Sequence, residues 1–170
     1  AFFTRCAKAS IDGVIVPDVP FEERATLLPF AREKGIALIS LIAPTSHERV
    51  QMLAREAEGY IYLVSSMGVT GVREKITTDL KEIVEKIREV SNQPVAVGFG
   101  IARPEQAAQM ADISDGAIVG SAIVKLVAKY GKTAGGPVYR LLGLYHPFHG
   151  GSGQGVRGME GGKPPPSFWI

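Results

Sequence analysis

Three glycine-bearing turns in this 170-residue chain have the makings of an anion cradle. They are Gly68-Val69-Thr70-Gly71, Gly98-Phe99-Gly100 and Gly120-Ser121, and each follows a short apolar run. A backbone N–H approaches a phosphate oxygen closely only where no Cβ obstructs it, which selects glycine. Ser121 adds a hydroxyl donor at what reads as a helix start, where the helix dipole favours an anion. Any one of these turns, taken alone, reads as an ordinary tight turn. Three in register at consecutive strand ends are better explained by one shared phosphate.

The elements that must position these turns are legible in the spacing. Short β-branched runs alternate with longer amphipathic stretches from Ile11 to about Tyr130, the rhythm of repeated βαβ units. The runs are Gly13–Val16, Ile36–Leu41, Tyr60–Val64, Pro94–Val97 and Gly116–Val119. Each is nearly continuous in apolar character, as expected of parallel strands covered on both faces by helices. Between them, Thr45-Ser46-His47-Glu48 reads as a capping box, with Val50, Leu53, Ala54 and Ala57 on one helical face and Gly59 as its stop. Asp79 with Glu82 predicts a second cap, followed by a stripe of Leu80, Ile83, Val84, Ile87 and Val90. Pro104 suits the first turn of a short helix through Ala107 and Met110. Phe21 to Lys34 reads as helical up to Gly35, with Pro29 kinking or restarting it. A helix end over Phe2 to Ala9 precedes the first run.

The fold class is therefore α/β. A closed (βα)₈ barrel needs eight strands and about 250 residues, so a barrel reading makes residues 1–131 about the last five βα units. The missing strands would precede Ala1. Residues 132–170 hold 10 of the 20 Gly and 5 of the 11 Pro, including GGSGQGVRG and KPPPS. A short helix is expected over 137–144 and disorder beyond it, since such a composition buries too little apolar surface to offset its ordering entropy.

Charge and cysteine content narrow the function. The tail from Lys132 onward is net +3 and the remaining chain net −1, so the formal +2 is not a basic surface, and it lacks the interleaved aromatics of a nucleic-acid site. No apolar run reaches the ~20 residues of a membrane span, and the N-terminal AFFTRCAKAS has no signal-peptide pattern; a cytosolic location is expected. Cys6 is single and reads as inert core. His47, His146 and His149 show neither metal nor triad spacing, so no metal is expected.

The stretches GVIVPDVPFEE, IYLVSSMGVTGVR, VAVGFGIARPEQA and DGAIVGSAIVK resemble, in that order, the tryptophan synthase alpha subunit family over roughly residues 1–130. The resemblance implies a (βα)₈ barrel and a lyase of tryptophan biosynthesis, which cleaves indole-3-glycerol phosphate to indole and glyceraldehyde 3-phosphate. It implies that Gly71, Gly100, Gly120 and Ser121 bind the substrate phosphate. Tyr62 and Phe99 would line the indole and glycerol pocket; core packing is an equal alternative for both. Thr70 would sit in a loop that closes over substrate and orients a catalytic carboxylate. The expected partner is a pyridoxal phosphate-dependent beta subunit, in an alpha2beta2 complex, with the corner ending at Pro20 as part of the contact. No cofactor is implied for this chain itself. Arg103 departs from the pattern, standing where the family has a Ser or Thr helix cap.

Retro-aldol cleavage needs a proton delivered to the indole C3, loss of the indole N–H and removal of a hydroxyl proton, which is work for positioned carboxylates. The family's Glu and Asp would lie upstream of Ala1. Asp18, at the end of the first run, is better explained as a turn residue in the Pro17-Asp18-Val19-Pro20 corner than as catalytic. The isolated chain is therefore expected to be inactive. Two other readings stay open: a different phosphate-binding (βα)₈ enzyme, against which the GVTG loop argues, and a non-catalytic phosphate- or partner-binding half-barrel.

Overall fold

In the computed structural model, residues 1–44, 47–65, 73–98 and 100–130 are described. The Thr45-Ser46 cap, the Gly68–Gly71 turn, Phe99 and the tail expectations for 132–170 lie outside them.

Five parallel βα units follow one another, as the spacing predicted. Helix α1 (Phe2–Lys8) leads into β1 (Gly13–Val14), a 3₁₀ helix (Phe21–Thr26) and α2 (Leu28–Arg32). The next unit is β2 (Ala37–Leu38) and β3 (Ser40–Ile42) with α3 (His47–Arg55). After it come β4 (Ile61–Val64) with α4 (Arg73–Arg88), β5 (Val95–Gly98) with α5 (Pro104–Ile113), and β6 (Gly116–Ile118) with α6 (Ser121–Tyr130). All pairings are parallel: β1 with β2, and β3, β4, β5 and β6 in that order.

The single run expected over 36–41 is split at Ile39, and its neighbours explain the split. Gly13 and Val14 pair with Ala37 and Leu38 on one edge, whereas Ser40 to Ile42 pair with Ile61 to Leu63 on the other. The backbone nevertheless runs on, since the Ile39 N–H still donates to Val14 O at 2.9 Å. Successive strands are thus staggered along one another, the shear that a closing sheet requires.

Side-chain alternation divides the sheet into two faces. Ile42, Ile61, Leu63, Val95 and Val97 are fully buried against Val50, Ala54, Val84, Ile87, Ala107 and Met110 of the covering helices. A smaller cluster joins Phe3, Cys6, Ala31, Ile36 and Leu38. Cys6 is buried, as expected of inert core.

Helix punctuation was mostly legible. Pro29 restarts the chain, separating the 3₁₀ helix from α2. Gly35 follows at φ +68, a left-handed conformation that glycine adopts without Cβ strain. Pro104 opens α5. The missing hydroxyl at Arg103 is compensated from inside the helix, because Gln106 Oε1 accepts from the N–H groups of Arg103 at 3.0 Å and Ala102 at 3.1 Å.

Two expectations fail. Asp79 is not a cap, because α4 begins at Arg73 and Asp79 is an exposed position inside it. Good helix formers upstream extend the helix, and a solvated Asp is tolerated there. The buried stripe of Leu80, Ile83, Val84 and Ile87 is as expected. Gly59 does not stop α3, which ends at Arg55. It sits in the connection to β4 at φ +71, where a Cβ would lie 3.0 Å from Ala37 Cβ; backbone conformation and close approach both demand glycine.

Candidate phosphate and substrate site at the strand ends

The parallel register brings two of the predicted turns level. Gly98 pairs with Ile118 at the end of the β5–β6 ladder. Gly100 and Gly120 each lie two residues beyond that last pair, at the same edge of the sheet. Gly100 is exposed at φ +78, so a side chain here would be strained. Gly120 is different. It is exposed, its φ is ordinary, and a Cβ built on it would meet nothing within 4 Å. Among the described residues nothing therefore requires glycine at this position, and its bare backbone leaves open space.

Ser121 follows as the first residue of α6 and is exposed. The Val124 N–H donates to Gly120 O at 3.1 Å, closing the first turn of the helix. Helical geometry leaves the preceding N–H groups without intrahelical acceptors, at the positive end of a ten-residue dipole. Backbone donors, a hydroxyl and empty space thus coincide in one place. Thr70, Gly71 and Phe99 fall outside the described residues.

Tyr62 projects from β4 onto the face opposite the helix-packed core, in register with Leu41 and Ala96. It is half-buried, and burial pushes its phenol above the ordinary tyrosine range. Its ring leans along the sheet over Gly98, where a Cβ would overlap the phenol oxygen and lie 2.8 Å from Cε1. Gly98 was grouped with the phosphate turn from its spacing. Its place in the fold is as a flat seat for Tyr62, at the end of β5 where that turn begins. This cross-strand approach leaves no trace in the local sequence beyond one more glycine.

Ser65, directly after β4, was missed altogether. It is fully buried, and both its N–H (2.8 Å) and its Oγ (2.9 Å) donate to Gly98 O. A serine closing an apolar run gives no sequence signal for such a partner 33 residues away.

Asp18 is exposed and occupies a turn closed by the Val19 N–H on Val16 O at 3.2 Å, in keeping with its reading as a corner residue. Beneath this corner lies a cleft of about 240 Å³ lined by Val16, Pro20, Arg24, Leu38, Ser40 and Arg49 among others. Arg24 braces it by donating to Ser40 Oγ at 2.5 Å and to Leu38 O at 2.6 Å. Burial lowers the Arg24 pKa, against the opposing pull of Glu58 and Glu56. Neither Tyr62, Gly100 nor Gly120 lines this cleft. Among the described residues no group of His, Cys, Asp and Glu could hold a metal ion, and no helix is long and apolar enough to cross a membrane.

Comparison with known proteins agrees with the fold. A family model described as Tryptophan synthase alpha chain matches residues 1–144. The chain is 50% identical over 129 residues to the tryptophan synthase alpha chain of Lacticaseibacillus casei, covering 76% of this chain and 48% of that protein. It is 42% identical over 130 residues to that of Methanocaldococcus jannaschii, covering 76% and 46%. It therefore spans about half the length of the curated relatives it matches. Among solved structures, the tryptophan synthase alpha subunit of Campylobacter jejuni superposes with a TM-score of 0.71 at 38% identity, over 75% of this chain and 52% of that one. A Pyrococcus furiosus structure, described as showing mutual activation in the tryptophan synthase α2β2 complex, gives 0.71 at 30% identity, over 88% and 60%. The five consecutive parallel βα units are thus a portion of a TIM barrel, and the chain belongs to the tryptophan synthase alpha chain family.

Proposed function

We propose that this chain carries the phosphate-gripping part of a site that cleaves indole-3-glycerol phosphate to indole and glyceraldehyde 3-phosphate in tryptophan biosynthesis. One observation carries the reading: Gly120 keeps a bare backbone that no neighbour among the described residues requires, at the N-terminus of α6 and level with Gly100. Gly100, Gly120 and Ser121 would bind the phosphate oxygens through backbone N–H groups and one hydroxyl, with Gly71 as a further donor. Tyr62 and Phe99 would flank the indole and glycerol moieties, and Thr70 would orient a carboxylate as its loop closes and excludes water.

Cleavage of the bond to indole C3 requires protonation at that carbon as a hydroxyl proton departs, so an acid and a base must face each other across the substrate. Asp18 is held in an exposed turn. The proton-transfer carboxylates belong to a part of the site other than these residues, and the chain alone should release no indole. The partner would be a beta subunit holding pyridoxal phosphate, docked near the corner that ends at Pro20, with both working in the cytosol.

Titration calorimetry with sn-glycerol 3-phosphate tests the phosphate assignment. Gly120→Val should weaken binding about tenfold or more, the worth of one charge-assisted hydrogen bond, while the melting temperature stays close to that of the parent chain. Unchanged affinity would refute the assignment.

A further inference from the structure

We infer that Ser65 is a positioning residue that sets the Gly98–Gly100 turn for phosphate binding, an inference that rests on the phosphate reading above. The Ser65 N–H on Gly98 O continues the β4–β5 ladder one step beyond its last pair, Val64 with Gly98. That bond alone would satisfy the carbonyl and end the strand. The hydroxyl adds a second donor to the same oxygen, at 2.9 Å from a side chain with no solvent exposure. Both acceptor directions of Gly98 O are thereby committed to one residue.

A carbonyl held from two directions cannot rotate freely. Because the peptide unit is planar, fixing the Gly98 C=O also fixes the plane of the peptide group that leaves Gly98 toward Gly100. Gly100 lacks the Cβ that would otherwise restrict its backbone, so the turn gains from a constraint outside it, at the strand end. Ser65 supplies it, and in sequence Ser65 also directly precedes the segment containing the Gly68–Gly71 turn. One side chain therefore ties the end of β4 to the turn after β5. For strand pairing the hydroxyl is surplus; for aiming backbone N–H groups at an anion it is not, since small misplacements at such sites are costly.

The test compares the whole chain with Ser65→Ala, which removes the hydroxyl and keeps the backbone donor, and with Ser65→Thr, which restores a hydroxyl. Affinity for sn-glycerol 3-phosphate should fall roughly fivefold in Ser65→Ala, the worth of one ordinary hydrogen bond, and recover in Ser65→Thr. Backbone order parameters from NMR at the Gly100 and Ile101 amides should fall in Ser65→Ala and recover with the threonine, a change that loss of global stability alone would not confine to these amides. Should either substitution prevent folding, Ser65→Cys, with its weak donor, takes its place and should fall between parent and alanine. Wild-type order parameters in Ser65→Ala, or loosened amides with undiminished affinity, would overturn the positioning role. A parent chain that does not bind glycerol phosphate would overturn the phosphate reading and with it the ligand assignment. The order parameters would then still show whether Ser65 holds the turn.

Discussion

The two ends of the β5–β6 pair are built from different chemistry. At the N-terminal end, side chains do the fastening. The Asp115 carboxylate accepts the Val95 N–H at 2.8 Å while the Asp115 N–H donates to Val95 O at the same distance. Beside it the Ser114 hydroxyl bonds Met110 O at 2.7 Å and Gly116 O at 2.9 Å. At the C-terminal end glycines take over. Gly98, Gly100 and Gly120 present backbone, and the fastening is delegated to Ser65 from the neighbouring strand. Barrel proteins divide labour in this way, with stability at one rim and binding at the other. Here one rim carries the Asp115 and Ser114 clasps, and the other the glycines proposed to bind phosphate.

Substitutions that should hurt one end and spare the other sharpen this contrast. The largest effect should come from the layer both ends share. Leu63→Ala removes a fully buried side chain from the helix-packed face and should cost about 2–5 kcal/mol. Urea unfolding measures it, and a loss under about 1 kcal/mol would mean the core is looser than its burial suggests. At the glycine end, Gly98→Ala forces a Cβ into the Tyr62 ring and should cost roughly 1–3 kcal/mol by overpacking. In a Tyr62→Ala background most of that penalty should vanish, so a double-mutant cycle showing additivity would contradict the ring seat.

At the opposite rim, Asp115→Ala strands the Val95 N–H and should cost about 1–2 kcal/mol. Glycerol phosphate affinity should stay unchanged there; a parallel loss of affinity would erase the distinction between the ends. Alkaline titration offers a smaller effect. Burial raises the Tyr62 pKa above its ordinary 10.0, and burial together with the neighbouring Tyr62 raises that of Tyr60. The folded state then holds these protons more tightly than the unfolded chain does. The stability they contribute is fully present below pH 10 and is lost as pH rises through the folded values, so melting temperature should decline above that point. Tyr62→Phe should shallow the decline, and an identical slope would remove Tyr62 from the account. Smallest of all, Arg88→Ala breaks only the exposed 3.4 Å pair with Asp115 and should change stability by less than about 0.5 kcal/mol.

Local chemistry was readable wherever one residue decides it. Pro29 and Pro104 fix φ and lack an N–H, so they mark helix starts whatever surrounds them. The stripe from Leu80 to Ile87 is a periodic pattern and is buried, as are Ile61, Leu63, Val95 and Val97 of the third and fourth apolar runs, whereas the first run stays only partly buried. Asp79 misled because an N-cap residue and a solvated helix position have the same local signature, and only the helix start at Arg73 separates them. Gly59 misled because a helix stop and a close cross-strand approach both ask for glycine.

By itself the sequence determined the βα order and the helix-facing residues, and it put glycine at positions 100 and 120, since these depend on periodicity and on backbone freedom at single positions. The tertiary structure alone decided which residues meet across strands. It set Tyr62 over Gly98, brought Ser65 to the Gly98 carbonyl, clasped Asp115 to Val95 and split the second run at Ile39. Each is a contact between residues twenty or more positions apart, fixed by strand register and stagger, which no local pattern encodes.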